Sequence, residues 1–276
     1  MTEDTTPDQP PVLLELRGAV ALLTLNRPDR MNGWTPQLEE LYFDHLAALS
    51  RDEQVRAVVV TGAGRAFCAG ADMGALDELS SGRAQLPTAQ GRRPETFPLS
   101  FPKPLIAAVN GACAGLGLVQ ALLCDVRIAE PGAKLTTSFA KVGLVAEHGI
   151  SWLLPRHVGV GNALDLLMSS RVLLAEDALR MGLVQQVCEP GTVVETAVAY
   201  AEELARRVSP TAMAVIKGQV YRHLEQALAP AVEESDRLML ASFGRPDFAE
   251  GVSAFGERRQ PGFPGLALDP GAVPGG

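Results

Sequence analysis

Val58-Val59-Val60-Thr61-Gly62-Ala63-Gly64-Arg65-Ala66-Phe67-Cys68-Ala69-Gly70-Ala71-Asp72 opens on a β-branched run and ends on a turn of small residues. Leu105-Ile106-Ala107-Ala108-Val109-Asn110-Gly111-Ala112-Cys113-Ala114-Gly115-Leu116-Gly117 repeats that order. Each reads as a strand, a small-residue turn and the start of a helix. Small residues let the backbone approach a ligand closely. The first N–H groups of a helix are unpaired and can meet negative charge. Two such turns in one chain suggest a pair of N–H donors converging on one oxygen, the arrangement of an oxyanion hole.

Working outward, residues 12–16 and 19–25 read as a strand pair turning at Arg17-Gly18, and 26–35 as a loop. Thr35 is an N-cap candidate with Pro36 at the first helical position. Leu38, Leu41, Tyr42, Leu46 and Leu49 then recur at helical spacing. Asp72 reads as the cap of a helix through Leu79 rather than as a catalyst. Residues 80–98 hold Gly, Pro and several Arg, and read as a mobile surface loop. An apolar helix is expected at 116–123, with short strands at 125–129, 134–136 and 183–187. Short helices are expected at 150–154, 162–168 and 175–180. From Val193 the pattern is helical, broken at Ser209-Pro210. The fold class is α/β, with a core over 12–192 and a helical section over 193–260. Residues 1–11 read as a disordered tail and 261–276 as a Pro/Gly-rich tail.

The bulk numbers narrow the function classes. The 276 residues are 47% hydrophobic, enough for a substantial core. With 24 basic against 32 acidic residues the net charge is −8, which argues against nucleic acid as a partner. Cys68, Cys113, Cys124 and Cys188 form no C-x-x-C pair and read as buried free thiols of a reducing compartment. The polar N-terminus is unlike a signal peptide, no apolar run would span a bilayer and no metal-ligand spacing occurs. A cytoplasmic protein without membrane contact is expected.

Asn26-Arg27-Pro28, the turn at 67–72, Ile106-Ala107-Ala108-Val109-Asn110-Gly111, Cys124-Asp125 and Leu154-Pro155-Arg156-His157-Val158-Gly159 occur in one order. That ordered set resembles the crotonase family, also called the enoyl-CoA hydratase/isomerase family. The resemblance implies a crotonase-like spiral of β-β-α units followed by a C-terminal helical section used for oligomerisation. It implies a homotrimer or a dimer of trimers. It also implies an acyl-CoA thioester as substrate and no further cofactor. By motif position, the N–H groups of Ala71 and Leu116 would polarise the thioester carbonyl and hold the enolate. Substrate contacts would come from Arg27, Ala69, Gly70, Asp72, Gly115, Val119, Phe139 and His148.

The chain departs from the family's hydratases at both catalytic glutamates. Val119 and Phe139 stand at those positions, and neither carries a carboxylate. Val142-Gly143-Leu144-Val145-Ala146-Glu147-His148-Gly149 is instead similar to the segment in which some family isomerases carry one catalytic acid. Glu147 occupies that acid's place. By residue pattern alone Glu147 is an ordinary loop glutamate, and by family position it is the acid/base group. Val119, Phe139 and Trp152 are expected to shield it in part from water. His148 would orient Glu147 or contact substrate, or else pack locally. Arg27 and Arg65 are candidates for CoA phosphates, whereas His45 and His157 read as structural. The expected activity is a double-bond shift by Glu147. The alternatives are water addition through Glu147 and acyl-CoA binding without turnover.

Overall fold

A run of β-branched residues buried on both faces is the mark of a parallel strand inside a sheet. In the computed structural model, which describes residues 9–83 and 92–266, Val58, Val59 and Val60 form the middle of such a strand. The expectations for 1–8, 84–91 and 267–276 concern residues outside the described ones.

β1 (Val12–Arg17) and β2 (Val20–Leu25) pair antiparallel. Their turn lies at Gly18-Ala19, one residue later than expected, because Gly18 takes the left-handed φ of +59°. The helix α1 (Pro36–Arg51) is capped by the Thr35 hydroxyl, which accepts from Leu38 N–H at 3.2 Å. β3 (Ala57–Gly62), β4 (Ala66–Cys68) and α2 (Met73–Ser80) make one β-β-α unit. β5 (Leu105–Val109), β6 (Ala112–Ala114) and α3 (Leu116–Leu122) make the next. Each unit thus holds a second short strand that the sequence pattern did not separate from the turn. β7 (Val126–Ala129) and β8 (Lys134–Thr136) begin a third.

α4 (Ile150–Ser169) contains the two expected short helices, divided at Gly159 where φ is 76° and ψ 159°. β9 (Leu173–Leu174), α5 (Ala175–Arg180) and β10 (Gln186–Val187) follow. β10 is shorter than the expected 183–187 strand. Leu183 instead donates to Ala178 O, and its own carbonyl accepts from Arg127 Nε at 2.7 Å. The chain closes with α6 (Val193–Arg207), α7 (Pro210–His223), α8 (Leu228–Phe243) and α9 (Pro246–Glu257).

The strands form two sheets, β1-β2-β3-β5-β7-β10 and β4-β6-β8-β9. β2, β3, β5, β7 and β10 run parallel in the first, as do β4, β6 and β8 in the second. Alternate residues of a strand face opposite sides, and the central strands divide accordingly. Leu23, Val58, Val60 and Ala107 join the core beneath α1 and α3, whereas Leu22, Val59, Ile106 and Ala108 join the core on the other face. Val193, Ala197, Val198 and Ala201 of α6 cover that second face. The 193–260 section is helical as expected, but its first helix belongs to the core, because the parallel sheet needs cover on both sides.

Candidate active site

The two small-residue turns meet because their leading strands pair. β4 lies parallel to β6 with Ala66 opposite Ala112 and Cys68 opposite Cys113. A Cβ on Gly117 would fall 2.2 Å from the Cys68 carbonyl oxygen, and one on Gly70 would fall 3.1 Å from the Ala114 oxygen. Only glycine allows that approach. Gly70 and Gly115 also take positive φ, at 103° and 49°.

The first turn is held from a third segment. Trp34 N–H donates to Gly70 O at 2.7 Å, and Asp72 N–H to Trp34 O at 3.0 Å. Gly115 N–H donates to Thr136 O at 3.0 Å. Between these fixed points, the N–H groups of Ala71 and Leu116 make no hydrogen bond among the described residues. Two preorganised and unpaired donors therefore sit on turns that touch. Asn110 staples the sheet end behind them, accepting from Gly62 N–H and donating to Gly62 O at 2.8 Å. Asn32, fully buried, donates to Ala63 O and Ala66 O.

Asp72 caps α2 by accepting from Gly74 N–H at 2.9 Å. Arg27 pairs with it at 3.0 Å and donates to Gly33 O. Burial alone would raise the Asp72 carboxyl, but Arg27 and the Gly74 and Ala75 N–H groups outweigh it and hold it below its ordinary range. Arg27 thus braces the turn through Asp72 and the Gly33 carbonyl. Arg65 lies exposed, its Nε 3.0 Å from Met31 Sδ. Burial pushes the Cys68 thiol up to about 12 and Cys113 well above its usual value, so both are inert core residues.

The Glu147 turn follows a single 3₁₀ turn at Phe139–Val142 and precedes α4. Glu147 O accepts from Ile150 N–H at 3.0 Å, while His148 takes φ +53° and Gly149 φ +81°. The Glu147 side chain is 32% exposed. His148 Nε2 lies 3.6 Å from Glu147 Oε2, and its Nδ1 lies 3.7 Å from Glu95 Oε1. Gln120 on α3 reaches Glu95 O through Nε2 at 3.4 Å. Among the described residues its Oε1 is buried without a partner, at a typical cost of about 1–3 kcal/mol.

Of the residues singled out in the sequence, Ala69, Gly70, Ala71, Asp72, Gly115 and Leu116 come together at the paired turns. Glu147 and His148 are brought near α3 through Glu95. Val119 and Phe139 are packed into the core at 0% and 6% exposure, so neither presents an open surface. The Trp152 ring carries the Arg156 guanidinium at 3.8 Å. His157 is structural as expected, beside the buried Arg127 at 3.5 Å.

Sequence reasoning missed Glu95 and Gln120, and also Glu39, which is buried while accepting from Trp34 Nε1 at 3.0 Å and pairing with Arg92. Glu95 and Arg92 lie in an Arg/Pro-rich stretch without periodicity, so no local signal marks them. Among the described residues no cluster of His, Cys, Asp and Glu could hold a metal, and no helix is long and apolar enough to cross a membrane.

The spiral of β-β-α units and the paired glycine turns define an enzyme class. The chain belongs to the enoyl-CoA hydratase/isomerase family, whose sequence model matches residues 15–265. It is 37% identical to the 1,2-epoxyphenylacetyl-CoA isomerase of Escherichia coli (strain K12), over 92% of this chain and 98% of that protein. It is 35% identical to the (E)-benzylidenesuccinyl-CoA hydratase of Thauera aromatica, over 92% and 99%. An enoyl-CoA hydratase structure from Polaromonas sp. JS666 superposes with a TM-score of 0.84 at 30% identity, covering 91% of this chain and 99% of that one.

Proposed function

We propose that the chain shifts a double bond in an acyl-CoA thioester, with Glu147 as the acid/base group and the N–H groups of Ala71 and Leu116 as the oxyanion hole. The observation that carries this reading is the unpaired state of both N–H groups, among the described residues, on turns in contact, with Glu147 linked to α3 through His148, Glu95 and Gln120. Main-chain donors fixed before reaction lose no energy to reorganisation, and one such donor can be worth about 3–4 kcal/mol. The thioester oxygen gains charge as the α-proton leaves to Glu147, and the donors hold the dienolate until Glu147 delivers a proton to the γ carbon. A proton shift of this kind is redox-neutral and needs no cofactor beyond the CoA of the substrate.

Glu147→Gln removes the base while keeping size, so kcat for 3-enoyl to 2-enoyl conversion should fall by roughly 10²–10⁴ with little change in binding. A mutant that keeps most of the activity sinks the assignment. The second reading is water addition through Glu147, favoured by the hydratase relative and by the Glu95 carboxylate near the same turn. Assay of a 2-enoyl thioester for hydration separates the two.

We also propose a homotrimer or dimer of trimers. Val160 and Leu164 on α4 and Leu228, Leu240, Phe243 and Phe255 on α8 and α9 expose apolar side chains, and symmetric closure would cover them. The four free, buried thiols fit a reducing cytoplasm.

A further inference from the structure

His148 stands between two carboxylates. Its ring lies 3.6 Å from Glu147 on one side and 3.7 Å from Glu95 on the other. Its backbone holds a left-handed φ of +53°, uncommon for a residue with a side chain though histidine is among those found there more often. The three side chains keep 28–34% exposure, so the cluster is open to solvent. The chain around Glu95 is fixed from several directions. Gln120 of α3 reaches its carbonyl, and Arg92 and Arg93 pair with Glu39 and Asp44 of α1. Phe97 stacks edge-on against Phe43 at 5.5 Å. Thr96 lies under the Gly149 position.

Both distances exceed hydrogen-bond length, so the ring stands between the two carboxylates without bonding either. In the neutral imidazole one nitrogen donates and the other accepts. With Nδ1–H turned to Glu95, Nε2 presents its lone pair to Glu147. A base held by a carboxylate in one tautomer is the logic of a catalytic triad.

We propose that Glu95 is a positioning residue that orients His148 as a proton exchanger for Glu147. The proposal rests on Glu147 being the base. The α-proton passes from the substrate carbon to the Glu147 carboxylate, leaving the dienolate. The Glu147 carboxyl then gives that proton to Nε2, and the imidazolium loses it from Nε2 to water while Glu95 keeps the Nδ1–H in place. A solvent proton taken up at Nε2 passes to Glu147 and on to the γ carbon. The substrate's own proton is thereby replaced by one from solvent.

The test is isomerisation of a 3-enoyl-CoA in D₂O, stopped at low conversion, with deuterium at the γ carbon of the product read by mass spectrometry. Wild type, Glu95→Gln and His148→Gln are compared. Deuterium per product molecule in both variants should fall at least about twofold, because the abstracted proton returns directly. This ratio does not depend on how much of a variant is folded, so weak turnover is enough. Equal deuterium content in all three proteins overturns the relay. A wild type without any double-bond shift overturns the reading of Glu147 instead.

Discussion

Gly117→Ala tests whether contact between the two turns positions the N–H donors. The added Cβ would lie 2.2 Å from Cys68 O, 2.7 Å from Cys68 Cβ and 2.8 Å from Cys68 C, a backbone neighbour that cannot swing aside. Van der Waals contact then requires the turn and α3 to part by about 1 Å in an interior packed to crystal density. Overpacking of this kind costs about 3 kcal/mol at its upper end. The better helix propensity of alanine offsets about 1 kcal/mol of that. A net loss of about 2 kcal/mol lowers Tm by about 4 °C in a chain of this size. The effect on turnover is larger, since displacement of a catalytic donor by about 1 Å can cost about 10²-fold. Gly161→Ala is the control, because its Cβ would meet nothing within 4 Å and its helical site favours alanine. Scanning calorimetry and thioester turnover on both variants decide the matter. A Gly117→Ala enzyme with wild-type Tm and kcat would refute the claim that this contact sets the donor geometry.

Burial and the Arg127 guanidinium push His157 down to about 4, against 6.5 for a free histidine. The native state binds fewer protons than the unfolded chain between those values, so this contribution is complete above about pH 6.5 and is lost as pH falls toward 4. Proton NMR should show His157 titrating near 4, and His157→Asn should melt with a weaker acid dependence between pH 7 and 5. Ser209 caps α7 through Ala212 N–H at 3.0 Å and also donates to the buried Asp247 carboxylate. Ser209→Ala should cost about 2–4 kcal/mol in urea unfolding, against about 1 kcal/mol for Thr35→Ala, which loses a cap alone. Light scattering at micromolar concentration should give a trimer or hexamer mass, and a monomer mass would leave Phe255, 90% exposed, without cover.

Local signals carried much of this protein. The runs at Val58 and Leu105 marked buried strands because β-branched and apolar residues suit a sheet covered on both faces. Thr35-Pro36 and Asp72 marked helix starts because caps act on their own first turn, and Ser209-Pro210 marked a break in the helical pattern. The order of the glycine motifs identified the family and the paired N–H groups. The tertiary path decided what faces what. Nothing around Arg27 announced that the fold would set Asp72 beside it. The burial of Val119 and Phe139 likewise follows from the packing of distant segments. Val193 opened what read as a separate helical section, yet α6 closes the far face of the sheet. Glu95, in a stretch without pattern, arrived beside His148, more than fifty positions away in the chain. Periodicity and capping depend on neighbours within a few residues. Charge pairing and burial depend on which distant segments a parallel, crossover-connected sheet brings together.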